Sequence, residues 1–219
     1  MKKLIQGIIE FKQKKHPSYK DTFAKLALGQ RPDVLFIACS DSRVAVNVFA
    51  STDPGDLFVV RNVGNMVPPS GLLGVSISDE SELAALEFAI LNLKVKDIII
   101  CGHSECGAMH AVCAGREKLE PPHLRSWLAH AEPALHTLNQ SDRFSEIGLE
   151  RHNRLSKINV LQQVGNLKTY PMVAERVANG TLQIHGWWFD IAQAEVFFYD
   201  SNDDQFLPFD ENTLKKLKI

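Results

Sequence analysis

The sequence predicts an α/β fold: a mainly parallel central β-sheet flanked by helices, with N-terminal helices and a C-terminal antiparallel edge strand. Three observations carry this. Val34–Cys39, Leu57–Val60 and Asp97–Gly102 are short apolar runs, the signature of strands buried on both faces. Segments with helical spacing separate them, so strands and helices alternate along the chain. The chain has 219 residues, 45% of them hydrophobic and 23% charged, ordinary globular values that allow a full core without disulfides or a structural metal.

The elements follow in chain order. Leu4, Ile8, Ile9 and Phe11 form a helical stripe, and Lys12 to Lys15 is a solvated charge run. Phe23, Leu26 and Leu28 mark a second helix, ended by Gly29 before Pro32. The strand at Val34–Cys39 follows, and the turn Asp53-Pro54-Gly55-Asp56 introduces the strand at Leu57. A loop rich in Gly, Pro and Ser spans Gly64 to Ser78. Leu83, Leu86, Ile90 and Leu93 give helical spacing over Glu82–Leu93, ahead of the strand that ends at Gly102. Gly107–Ala114 reads as the next helix. Pro121 to Arg151 is helical but interrupted, with Trp127 and Leu128 as anchors. Asn153–Leu167 and Pro171–Ala178 are further helices. Thr181–Phe189 and Glu195–Asp200 are two strands joined by a short turn, and Leu214–Ile219 is basic and peripheral. With no internal repeat, low-complexity tract or linker, the expectation is one domain over 1–219, its first 28 residues a helical arm.

Lys and Arg total 24 and Asp and Glu 26, a formal charge of −2, which argues against a strongly basic nucleic-acid binder. The apolar runs fall far short of the roughly 20 residues that span a bilayer. The N-terminus begins like a signal peptide, but Glu10 and Lys12 interrupt it and it lacks an Ala-x-Ala site. It reads as an amphipathic helix of a cytoplasmic protein. In a reducing compartment Cys39, Cys101, Cys106 and Cys113 are more often ligands, nucleophiles or core residues than disulfides.

Open parallel sheets do chemistry at the carboxyl ends of their strands. One predicted strand ends in Cys39-Ser40-Asp41-Ser42-Arg43 and another in Cys101-Gly102-His103-Ser104-Glu105-Cys106-Gly107. Cys39, His103 and Cys106 offer two thiolates and an imidazole, which with one open position make a catalytic zinc set. By spacing alone the cysteines read equally as small core residues. Cys101 is a possible further ligand, four residues separating it from Cys106, but its place inside the apolar run favours core packing; Cys113 reads as core. His110, one turn past Cys106, is a ligand, a proton shuttle or a plain helix residue. Asp41 and Arg43 are a carboxylate and guanidinium two residues apart, either a surface ion pair or an oriented carboxylate beside a metal. A redox role for Cys101 and Cys106 is disfavoured, because the spacing is not C-x-x-C.

These residues resemble the β-class carbonic anhydrases. The matching stretches are Cys39–Arg43, Asp56–Asn65, Gly102–Met109, Asn166–Pro171 and His185–Trp188, together covering most of Gln30 to Trp188. The resemblance implies one Zn²⁺ per chain, held by Cys39, His103 and Cys106, with Asp41 and Arg43 as a catalytic dyad. It implies reversible hydration of carbon dioxide to bicarbonate and a proton, by hydroxide at the metal's open position. It assigns Gln30, Phe58, Phe88 and Gly107 to substrate binding, with Val63 as a further wall. Phe88 stands where the family usually has tyrosine, so a hydroxyl is missing. Gln30 resembles the branch whose zinc stays open to water; the other branch has tryptophan there and an inhibitory bicarbonate site. A homodimer or homotetramer is implied, with no nucleic-acid or membrane partner; Trp187 and Trp188 are aromatic surface candidates. Carbonyl sulfide or carbon disulfide as substrates, and a structural zinc closed by Asp41, are the competing readings.

Overall fold

The computed structural model describes residues 1–71, 80–146, 148–211 and 213. Two helices open the chain, α1 (Lys2–Glu10) and α2 (His16–Leu26), joined by a wider π-helical turn at Phe11–Lys15. Then come β1 (Val34–Cys39), α3 (Val46–Phe49), β2 (Leu57–Asn62), α4 (Glu80–Glu87) and β3 (Asp97–His103). After β3 lie α5 (Gly107–Ala114), α6 (Pro122–Trp127), α7 (Glu132–Gln140), α8 (Arg151–Leu167) and α9 (Pro171–Ala178). The chain closes with β4 (Gln183–Asp190), β5 (Glu195–Asp200) and β6 (Gln205–Pro208).

The six strands form one sheet in the order β2-β1-β3-β4-β5-β6. β2, β1, β3 and β4 are parallel; β5 and β6 are antiparallel additions at one edge. The fold class is the expected one. β6 was not expected: four residues between Asp203-Asp204 and Pro208 carry too weak a pattern to read. β2 also departs from expectation. It pairs only with β1, is the other edge of the sheet, and is half exposed rather than buried on both faces. Trp187 is half-buried, but Trp188 is 2% exposed and stacked in the core, so it is no surface candidate. Its indole N–H donates to Ser156 Oγ at 3.2 Å, and the Lys157 ammonium lies over its ring. An aromatic pair on a strand next to the last antiparallel additions alternates faces, so one of the two must point inward. Leu214–Ile219 and most of the loop's second half, residues 72–78, lie outside the described residues.

Alternation sorts the strands between two cores. Leu35, Ile37 and Cys39 of β1, with Ile98 and Ile100 of β3, join the larger core under α8. Phe36 and Ala38, with Ile99 and Cys101, join the smaller core on the opposite face. Gly102 shares the α8 side of the sheet, and a Cβ there would sit 2.7 Å from Val160 Cγ2 and 3.0 Å from Ser156 Oγ. Only glycine lets α8 approach β3 so closely. Ser156 Oγ then donates to the His103 carbonyl at 2.8 Å, tying the helix to the end of the strand.

The topology fixes where chemistry belongs. From β1 the chain moves to β2 on one side, then crosses back to β3 on the other. The carboxyl ends of β1 and β3 therefore flank the point where strand order reverses, the crevice that open α/β sheets use for ligands. Among the described residues no helix is long and apolar enough to cross a membrane.

Candidate metal centre

Cys39 is the last residue of β1 and His103 the last of β3, while Cys106 is the N-cap of α5. The two sulfurs and a ring nitrogen lie within 4.8 Å of one another, all three residues buried. His103 is fully enclosed. Its Nδ1 faces the Ser104 carbonyl at 2.8 Å, which makes Nδ1 the protonated nitrogen and leaves Nε2 a bare lone pair. That Nε2 is buried and has no hydrogen-bond partner. A buried acceptor without a partner costs about 1–3 kcal/mol, and a metal ion at the centre of the two sulfurs would satisfy it. The donor set fits a tetrahedral ion of intermediate softness.

The Cys39 thiol is pulled down to about 4, chiefly by the Cys106 thiol, against its own burial. Cys106 is pushed up, first by Cys39 and then by burial, against the amides of Met109 and Ala108 at the start of α5. A bound dication would take both as thiolates. Cys101 belongs to the other face of the sheet, and burial pushes its thiol far up. It is a core residue, as expected. Cys113 is partly buried against the larger core.

Asp41 and Arg43 make a tight pair beside the centre. Arg43 donates from Nε to Oδ1 at 2.9 Å, from Nη2 to Oδ2 at 2.8 Å and from its backbone N–H to Oδ1 at 2.9 Å. Arg43 holds the Asp41 carboxyl well below the usual carboxylate range. Arg43 Nη2 also donates to the Glu105 carbonyl at 2.9 Å, so one guanidinium ties the β1 turn to the β3 turn. Both Asp41 oxygens are occupied, and Asp41 is not among the ligand atoms gathered around the centre. Gly107 opens α5 and is exposed; a Cβ there would meet nothing within 4 Å.

Of the other expected pocket residues, Gln30, Phe58 and Phe88 are not brought to this centre, whereas Val63 lies between Asn62, which pairs with Cys39, and Gly64, which donates to its sulfur. Phe58 pairs with Leu35 in the sheet, four residues before the Asn62–Cys39 pair. That places Phe58 about 13 Å along the strands from Cys39. Phe58 packs against Phe88 with tilted rings, centroids 5.8 Å apart, and Phe88 is 42% exposed. Gln30 is exposed, on the turn that faces Gly55 and Asp56. Val63 is also exposed, and its carbonyl accepts the Trp127 indole N–H at 2.8 Å.

Several supports went unread in the sequence. Arg61 donates to the Cys39 carbonyl at 2.8 Å and to the Asp41 carbonyl at 2.6 Å, bracing the turn between them. Gly64 donates its N–H to Cys39 Sγ at 3.4 Å. It sits at φ +82, where a Cβ would lie 2.8 Å from Met66 Cε. A polar ladder inside α8 holds that loop. Asn159 Nδ2 donates to the Gly64 carbonyl, Gln163 Oε1 accepts from Val67 N–H, and Asn166 Nδ2 donates to the Val67 carbonyl. The ladder had a readable signal: three amide side chains at helical spacing in a helix whose neighbours are apolar. Arg61 had none, since its partners are backbone carbonyls 20 and 22 residues away.

Comparison with known proteins comes from three directions. A family model described as carbonic anhydrase matches residues 34–196. A carbonic anhydrase of Pseudomonas aeruginosa is 38% identical over 214 residues, covering 97% of this chain and 93% of that protein. One of Synechococcus elongatus is 40% identical over 200 residues, covering 90% and 70%. Among solved structures, the β-carbonic anhydrase CcaA superposes with TM-score 0.88 at 37% identity, covering 96% of this chain and 92% of that one. One of two tetrameric β-carbonic anhydrases from Sordaria macrospora gives TM-score 0.75 at 31% identity, covering 89% and 94%.

Proposed function

The chain belongs to the β-carbonic anhydrase family, and from that premise we propose that it catalyses the zinc-dependent, reversible hydration of carbon dioxide to bicarbonate and a proton. The observation that carries the zinc reading is the buried, unpartnered Nε2 of His103 facing the sulfurs of Cys39 and Cys106. A zinc ion in that set supplies acidity, lowering the pKa of coordinated water to about 7 so that the nucleophile exists at neutral pH.

The chain's own residues do the rest. Asp41 accepts the hydrogen of the nucleophile and so aims its lone pair. Arg43 fixes that carboxylate through two side-chain hydrogen bonds and keeps it ionised. The same clamp turns both oxygens toward Arg43 and leaves one lone pair of Oδ2 for that hydrogen, which favours an open fourth metal position over closure by Asp41, and an enzyme over a structural metal site. The Gly107 N–H, at the start of α5, donates to the oxygen on which negative charge grows. Two thiolates and one imidazole would neutralise a bound dication, and positioning by Asp41 would offset the weaker acidity of such a centre.

Gln30, Phe58 and Phe88 serve the substrate pocket of a second copy in this reading, because they stand far from the metal centre of their own chain. Exposed Leu4, Ile5, Ile8 and Ile9 on α1, none of them buried within the chain, are the matching surface for a homo-oligomer. The tetramers of Sordaria macrospora support the same assembly. The working unit is then one domain over 1–219 with residues 1–28 as its arm. It acts in the cytoplasm, where four free cysteines stay reduced.

Metal removal tests the reading. Dialysis against a strong zinc chelator should abolish carbon dioxide hydration, and one equivalent of zinc should restore it. Hydration that survives with no bound metal would refute the proposal.

A further inference from the structure

We propose that Glu105, His110 and His152 form a second metal site, for a divalent transition ion, on the exposed side of the turn that carries Cys106. Three elements meet there. Glu105 lies between β3 and α5, His110 in the first turn of α5, and His152 in the first turn of α8. His152 Nε2 is 3.0 Å from Glu105 Oε1, and His110 Nε2 is 3.4 Å from Glu105 Oε2. All three donor atoms lie within 4.8 Å of one another. An ion with ligand bonds of about 2.0–2.2 Å bridges donors about 3–3.5 Å apart. The gaps between carboxylate and imidazoles have that width, so side-chain rotation alone admits the ion. The two imidazoles stack with centroids 3.5 Å apart and planes 24° from parallel, presenting their nitrogens to one carboxylate.

The carboxylate is held in advance. Glu105 adopts φ +55, uncommon for a residue with a Cβ. Asn153 fixes it at both levels, accepting the Glu105 backbone N–H at 2.7 Å and donating to Oε1 at 3.0 Å. Two imidazoles and one carboxylate, without sulfur, suit zinc, cobalt, nickel or copper better than calcium or magnesium. Glu105 and His110 are half exposed, while His152 is mostly covered. An ion therefore enters from solvent and keeps water in its remaining positions, unlike an ion among Cys39, His103 and Cys106.

The test is a cobalt titration of the zinc-loaded, full-length protein. One further Co²⁺ per chain should bind, with visible bands of nitrogen and oxygen ligation and no near-ultraviolet thiolate-to-cobalt band. That band would mark exchange at Cys39 and Cys106 instead. His110→Gln and His152→Gln should each weaken cobalt binding at least about tenfold, the minimum that loss of even an outer partner costs a metal site. Both variants should retain one zinc per chain. Absence of a second ion, cobalt that arrives only with the thiolate band, or unchanged cobalt affinity in both variants would each overturn the proposal.

Discussion

A Cys39→Ser variant should lose most of its bound metal, and its carbon dioxide hydration should drop by about 10³-fold or more. The physical reason is the pKa of the nucleophile. Bulk water ionises near 15.7, and only a metal brings that to about 7. Serine is the smaller, neutral counterpart of cysteine and its hydroxyl can still accept the Gly64 N–H. What is lost is a soft anionic ligand. His103 then keeps its buried Nε2 facing a hydroxyl and a single thiol. Cys106→Ser should behave alike, and Cys101→Ser should not, because Cys101 points into the opposite core. The check is metal analysis beside stopped-flow hydration, with circular dichroism to confirm the fold. Full metal content and normal turnover in Cys39→Ser would remove Cys39 from the centre.

The second large effect is expected from Arg43→Ala. It deletes both side-chain hydrogen bonds to Asp41 and the bond to the Glu105 carbonyl. Asp41 loses the partner that holds its pKa down and is released towards the metal. Turnover at neutral pH should fall by roughly 10²–10³-fold, within the range for loss of an oriented proton acceptor. The loss should shrink as pH rises, since hydroxide then competes better with the freed carboxylate. Arg43→Lys should recover only part of the rate, because an ammonium cannot reproduce a two-point grip. Asp41→Asn keeps the shape and removes the acceptor, so its deficit should persist at high pH. Equal, pH-independent deficits in Arg43→Ala and Asp41→Asn would contradict the clamp. The sign of the Asp41 shift has a further consequence. A depressed carboxyl stabilises the fold above its unfolded pKa and loses that contribution as pH falls through its folded value. Asp41 therefore stays ionised through the whole neutral range, and the acid limb of turnover belongs to another group.

Local rules made much of the fold legible. β1 matched residue for residue because a strand buried on both faces leaves an unbroken apolar run. α5 and α9 matched because each begins on a helix-opening Gly or Pro and ends at a clear break. β2 was read as too buried because sheet order, which makes it an edge, is not a local property. β6 escaped for want of length. Cys39, His103 and Cys106 were legible as a group because strand ends in a parallel sheet converge on one crevice. The distance of Phe58 and Gln30 from that crevice was not legible. It depends on register: the Phe58–Leu35 pairing sets it, and nothing in the residues themselves announces it. His152 likewise reaches Glu105 only through the packing of α8 on β3, 47 residues away in sequence.

Hydration rate against pH, with metal content determined on the same sample, tests the central claim most directly. One zinc per chain with fast turnover already present at about pH 7 is the predicted result, because Arg43 grips both Asp41 oxygens. One zinc per chain with no hydration at any pH from about 6.5 to 9 would contradict it.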